Sequence, residues 1–233
     1  MQLDLRDAAG FLGVDESTLY RWARRGEIPA RLVHDQYQFD QVDLLEFATA
    51  RGIQVAPEML LAEGAQPMPR LSEAVRAGGV HFDVAGTDKA SVLRAIVDTL
   101  PLPASVDRDF LHQMLLAREH LGSTGFGKGI AIPHPRNPIV LHVPAPAVAV
   151  AYLARPVDYE ALDGAPVHTL FTLVSRSMRV HLHLLAVLAA ALGDAEVQRL
   201  IQARAGAAEL IDALDRVETA LELRRAAQRE EKA

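Results

Sequence analysis

The sequence predicts an α/β layered domain preceded by a small helix-turn-helix unit. Three observations carry this. The first 26 residues hold two short segments of helical apolar spacing, separated by Gly13. From Leu71 onward, β-rich segments are mixed with helical ones, which argues for helices layered on a sheet. Between them, residues 53–70, "IQVAPEMLLAEGAQPMPR", contain three prolines and no clean period, the composition of a linker. The expected organisation is therefore residues 1–52, a linker over 53–70, and a second domain over 71–233.

In the first block, Leu5, Ala8, Ala9 and Leu12 recur at helical spacing, and Gly13 breaks the helix. Asp15 caps a second helix, "ESTLYRWARRG", which Gly26 closes. Leu19 and Trp22 lie three apart and face inward. Two short helices joined by a tight turn read as helix-turn-helix. "IPARLVHDQYQF" alternates as a small β-hairpin, and "DQVDLLEFATARG" forms a closing helix capped by Asp40. In the linker, "PEMLLAEG" has the composition of a short helix.

In the second block, Ser72 is placed to cap "EAVRAGG", and "VHFDVAG" reads as a strand. Asp88 opens "KASVLRAIVDTL", ended by "PLP"; "VDRDFLHQMLLAREHLG" is a helix stopped by Gly122. "GIAIPH", "AVAVAYLA" and "HTLFTLVS" read as strands. "VHLHLLAVLAAALGD", "AEVQRLIQARA" and "AAELIDALDRVETALELRRAAQ" read as helices, and the polar end "RRAAQREEKA" is expected to fray.

Composition narrows the function. Half of the 233 residues are hydrophobic, enough for a sizeable core, and net charge is −6. Bulk charge therefore does not point to nucleic acid. The absence of cysteine excludes disulfides, zinc–thiolate sites and thiol nucleophiles. No histidine pair has metal-ligand spacing on one helix face. The N-terminus lacks the pattern of a signal peptide. The longest apolar run, Leu184 to Leu192, is far short of a membrane span. A cytoplasmic protein without membrane insertion, metal or cofactor is expected.

The stretch "GSTGFGKGIAIPHPR" from Gly122 to Arg136 carries the chemistry. Gly122, Gly127 and Lys128 begin a nucleotide-binding P-loop, but Gly129 stands where a magnesium-binding hydroxyl belongs. A P-loop also opens a helix; here Pro133 and Pro135 forbid one. The same residues suit a phosphohistidine. The prolines stiffen the backbone around His134, and Gly127 and Gly129 let main-chain N–H groups turn toward an anion. Ser123 and Thr124 add hydroxyls, and Arg136 adds a planar cation. A histidine attacks phosphorus through a neutral ring nitrogen, and an ordinary pKa near 6.5 supplies one.

Two resemblances sharpen this. "DAAGFLGVDESTLYRWARRGEIPA…YQFDQVDLLEF" resembles excisionase- and MerR-like winged helix-turn-helix domains. That implies that Ser17, Thr18, Arg21, Arg24 and Arg25 lie on the groove-facing side of the second helix, where arginine reaches phosphates or guanine edges. The block departs from the pattern in its wing, "HDQYQF", which carries Asp35, Gln36 and Gln38 instead of arginines. Over residues 1–52, six arginines face nine carboxylates, a net −3. Phosphate contacts dominate DNA affinity, so such a reader binds weakly alone, and a protein-interaction role is the alternative.

"LLAREHLGSTGFGKGIAIPHPR" resembles the active-site stretch of enzyme IIA of the phosphotransferase system, fructose/mannitol and nitrogen-regulatory class, over residues 71–220. The resemblance implies an enzyme IIA-like mixed sheet packed with helices. It implies that His134 accepts a phosphoryl group from an HPr-type phosphocarrier, as a carrier and not a free-standing enzyme. It places Arg118 and Glu119, Ser123 and Thr124 at the site, with His181 of "HLHLLA" as second active-site histidine. At a helix start, His181 is expected to feel the dipole lower its pKa. Pro135 replaces a residue that is usually small, and "SRSMRV" before His181 brings Arg176 and Arg179 where the family often has acids.

Joined to a helix-turn-helix, these features point to a phosphorelay-linked regulator acting on DNA or on a regulatory target protein. A sugar-transport component and an interaction protein with a relic site are the alternatives. The carboxylates Asp158, Glu160 and Asp163 read as a surface loop without an assigned role.

Overall fold

The structure is a computed structural model that describes residues 2–33, 36–51, 53, 68–136, 143 and 145–231. Most of the expected linker, including "PEMLLAEG", and wing residues His34 and Asp35 lie outside them.

The first unit contains β1 (Gln2–Leu3), α1 (Leu5–Leu12), α2 (Glu16–Arg24), β2 (Arg31–Val33), β3 (Gln36–Asp40) and α3 (Gln41–Ala50). Asp4 and Asp15 cap α1 and α2 by accepting backbone N–H bonds from Asp7 and Thr18, which satisfies donors that a helix start leaves open. Gly13 turns the chain at φ 64°, a left-handed conformation that costs glycine little. Strands β2 and β3 form the expected antiparallel hairpin, and β1 adds to its β3 edge. Phe11, Leu12, Leu19, Phe39, Leu44 and Leu45 fill the centre, while Trp22 is half-buried against Phe47.

The second unit is a five-stranded mixed sheet flanked by helices on both faces. Its strands are β4 (Val80–Val84), β5 (Gly125–Gly127), β6 (Ile130–Ala131), β7 (Ala147–Val157) and β8 (Val167–Val174), in the order β4-β7-β8-β6-β5. Pairs β4–β7 and β6–β8 are parallel, and β7–β8 and β5–β6 antiparallel. Side chains alternate faces along a strand, and β7 shows it. Val148, Val150 and Tyr152 join one apolar cluster, while Ala147, Ala149, Ala151 and Leu153 join the other. On the second face lie α5 (Lys89–Thr99) and α6 (Arg108–His120). On the first lie α4 (Leu71–Gly78), α7 (Met178–Leu192) and α8 (Ala195–Gln202), with the base of α9 (Ala207–Glu231).

Three local expectations change. Helix α4 begins one residue after Arg70, so Ser72 lies inside it and donates to Asp215 at 2.8 Å instead of capping. Arg70 itself clamps onto α9 through Asp215, Thr219 and Glu222, a network that outweighs a serine cap. Helix α9 continues through Glu231, so the polar end holds its helix; alanine, arginine and glutamate favour that state. Strand β5 stands where a glycine loop was expected.

No single described helix is long and apolar enough to cross a membrane; α7 and α8 pass such a test only as a pair bent by 83°.

Candidate phosphohistidine site

The site forms where β6, the end of β8 and the first turn of α7 converge. After the β5–β6 hairpin the chain stays extended through Pro133. The Ile132 N–H donates to the Thr124 carbonyl at 3.0 Å, and Leu173 of β8 donates to the Pro133 carbonyl at 2.9 Å. Proline contributes no N–H but keeps its acceptor, so the sheet still grips the residue before His134.

His134 is buried, with 3% of its surface exposed. Its Nδ1 lies 2.7 Å from the Ile132 carbonyl. A carbonyl only accepts, so Nδ1 carries the proton and Nε2 the lone pair. The His181 ring lies 5.3 Å away between centroids, tilted by 55°. His181 is fully buried in the first turn of α7, which Ser177 caps. Ser175 Oγ lies 3.2 Å from His181 Nδ1 and 3.5 Å from the Ser177 carbonyl. The Ser175 hydroxyl thus ties the His181 ring to the start of α7. His181 Nε2 is buried without a hydrogen-bond partner. Burial first, then the His134 ring and the Arg118 guanidinium, hold the His181 pKa well below its ordinary value. Desolvation is the largest of these causes.

Arg118 and Glu119 end α6 and are buried. Arg118 donates to the Gly122 carbonyl at 2.8 Å. Glu119 accepts from the Thr124 N–H at 3.0 Å and from its hydroxyl at 2.6 Å, with Lys89 Nζ at 3.6 Å. Ser123 donates to the Tyr159 carbonyl at 2.6 Å and accepts from the Gly125 N–H. Both hydroxyl protons expected to face a phosphate are therefore taken up inside the loop, and their observed part is to hold it.

Gly127 and Gly129 have φ of 101° and 75°. A Cβ on Gly129 would fall 2.3 Å from the His168 ring, so this turn admits glycine alone. Lys128 between them donates its N–H to Asp163 at 2.7 Å and its ammonium to Gln198 at 2.9 Å. It sits on a hairpin, with no helix opening behind it, as the P-loop reading required. Arg136 is half-exposed and donates to Asp43 of α3 at 2.5 Å.

The structure thus brings together His134, His181, Arg118, Glu119, Ser123 and Thr124. Lys89, Ser175 and Asp43 escaped the sequence reading, and Asp163 reads there as a surface-loop carboxylate without a role. Asp163 had a signal: it precedes Gly164 in a turn, the position where aspartate binds nearby N–H groups. Asp43 had none.

Residues 74–217 match the family model described as "Phosphoenolpyruvate-dependent sugar phosphotransferase system, EIIA 2". The chain belongs to this family. Residues 3–52 match a helix-turn-helix domain model. The EIIA domain is 42% identical over 135 residues to a nitrogen regulatory protein of Pseudomonas aeruginosa, covering 56% of this chain and 85% of that one. It is 33% identical over 125 residues to the nitrogen regulatory protein of Escherichia coli, covering 52% and 75%. The crystal structure of nitrogen regulatory protein IIA-Ntr from Neisseria meningitidis superposes with a TM-score of 0.54 at 28% identity, covering 62% of this chain and 98% of that one. This is a nitrogen-regulatory type of EIIA domain behind a helix-turn-helix unit.

In that unit, Arg21, Arg24 and Arg25 are exposed on α2 and its end. Ser17 and Thr18 turn their hydroxyls onto the Asp15 carboxylate at 2.5 and 2.9 Å, and Thr18 accepts from Arg21 at 3.2 Å. These bonds hold the Asp15 carboxyl down at about 2. The structure thus presents arginines, and not hydroxyls, on this face.

Proposed function

We propose that the chain is a phosphohistidine-carrying regulator that accepts a phosphoryl group on His134 from an HPr-type phosphocarrier. The observation that carries this is the Nδ1–H bond to the Ile132 carbonyl, which fixes the lone pair on Nε2. That nitrogen forms the new N–P bond as the donor's N–P bond breaks, and the bonding pair returns to the donor ring. The buried His181 Nε2, which lacks a partner, then donates a hydrogen bond to a phosphoryl oxygen in the tautomer this role requires. Arg118 adds positive charge in a site largely closed to water, where such charge acts strongly. Glu119, Ser123 and Thr124 keep the loop in place, with Gly127 and Gly129 shaping its turn, and Arg136 offers the phosphoryl group a cation.

The helix-turn-helix unit, excisionase-like over residues 1–52, supports coupling of this charge change to DNA binding through Arg21, Arg24 and Arg25, or to a regulatory target. The linker over 53–70 and the EIIA domain over 71–233 complete this division. The nitrogen regulatory names of similar proteins favour regulation over sugar uptake. The test is incubation with a phosphorylated HPr-type protein. Wild type gains one acid-labile phosphate per chain and His134→Ala gains none; equal labelling of both removes the proposal.

A further inference from the structure

Helix α3 of the helix-turn-helix unit packs against β5 and α7 of the EIIA domain, the two elements that border the His134 loop and carry His181. One continuous apolar cluster runs from Phe39, Leu44 and Ala48 to Ile130, Ile132, Val180 and Leu184. Phe126 and Met178 pack against it as partly buried members. Across the polar margin, Asp43 accepts from Arg136 at 2.5 Å, and the Asp43 side chain is 20% exposed. Arg136 lies two residues from His134, whose ring is almost wholly covered.

We infer that α3 is a built-in occupant of the phosphodonor-docking face, so that α3 docking and phosphoryl transfer to His134 oppose each other. The inference rests on the reading of His134 as phosphoacceptor. Two physical arguments support it. A protein donor must bring its own phosphohistidine within bonding distance of His134 Nε2, and a helix seated on β5, α7 and Arg136 competes for the surface around it. A phosphoryl group on His134 also adds close to two negative charges. It then competes with Asp43 for Arg136 and repels the Asp43 carboxylate. Charge on His134 therefore loosens α3, and reciprocity requires that loosening α3 favours charge on His134. The arginines of α2 remain exposed with α3 docked, so the contact governs the placement of the DNA-facing helix and not its accessibility.

The test uses the full chain. Because it lacks cysteine, Glu27→Cys with Ala208→Cys takes one spin label on each unit at exposed positions. The unphosphorylated parent should show one narrow interlabel distance. Asp43→Arg should broaden and lengthen it, and should accept phosphate from a phosphorylated HPr-type donor roughly tenfold faster, within the usual range of coupling between sites. Phosphorylated parent should show the lengthened distribution. Asp43→Asn, a milder change that guards against misfolding of the arginine variant, should shift both readouts in the same direction. Unchanged distance and equal transfer rates in both Asp43 variants would overturn this inference and leave the phosphoacceptor reading standing. No phosphate on any of the proteins would overturn both.

Discussion

The His181 ring stands 5.3 Å from the His134 ring, fully buried, with its Nε2 facing no hydrogen-bond acceptor. A buried donor or acceptor left open usually costs about 1–3 kcal/mol. A phosphoryl oxygen on the neighbouring His134 would complete it.

Replacing His181 should therefore damage transfer more than folding. His181→Leu should slow phosphoryl acceptance by about 100-fold, the scale of one lost preorganised donor. His181→Gln, which keeps an N–H, should recover part of the rate. Stopped quench of phosphate incorporation against time checks both.

Stability should depend on pH through the same residue. Burial holds the folded-state pKa of His181 well below the unfolded value of about 6.5. Below that unfolded value, the unfolded chain takes up a proton that the folded chain refuses. Stability from this group is thus complete above about 6.5 and falls as pH drops toward the folded value, by about 1.4 kcal/mol per pH unit. His168 is also depressed, mainly by burial, and acts in the same direction. Urea melts between pH 7 and 5 should show a shallower loss in His181→Asn than in wild type.

Glu119 should matter for both fold and transfer. Its carboxylate accepts two Thr124 bonds while buried. Glu119→Ala leaves the Thr124 N–H without that acceptor and Lys89 without that carboxylate. A loss of about 3 kcal/mol follows for a broken buried charged network. Glu119→Gln should cost less, since its amide oxygen still accepts. Chemical denaturation gives the stability, and phosphate uptake under native conditions gives the function.

The helix-turn-helix unit should bind DNA through its arginines. Arg21→Ala with Arg24→Ala should lower the slope of log affinity against log salt by about 2, one per lost phosphate contact. Ser17→Ala should leave the slope unchanged, because its hydroxyl already serves Asp15. Retention on a DNA column across a salt series reads both. A slope unaffected by the double change would remove the DNA role of this face.

Much of this was legible where local physics decides. Asp15 and Asp88 precede helices and cap them, and the long apolar runs of β7 and β8 announce strands. His134 between two prolines was legible because proline's constraint is local. The failures have a common cause in distance along the chain. Strand β5 is three residues with two glycines, and only pairing with β6 makes it a strand. Arg70 displaced Ser72 as the helix start because α9, some 145 residues away, supplies its partners. The roles of Ser123 and Thr124 changed because Tyr159 and Glu119 reach their hydroxyls first. The Arg136–Asp43 contact spans 93 residues, and neither side chain's neighbours in sequence hint at it.

His134 should take phosphate on Nε2, because its Nδ1–H is held by the Ile132 carbonyl. Nitrogen–phosphorus correlation NMR on histidine-labelled full-length protein, after exposure to a phosphorylated HPr-type donor proven on a control EIIA, tests it most directly. The expected result is one phosphoryl group, coupled to Nε2 of His134. Phosphate on Nδ1, phosphate on another residue, or no phosphate at all would contradict it.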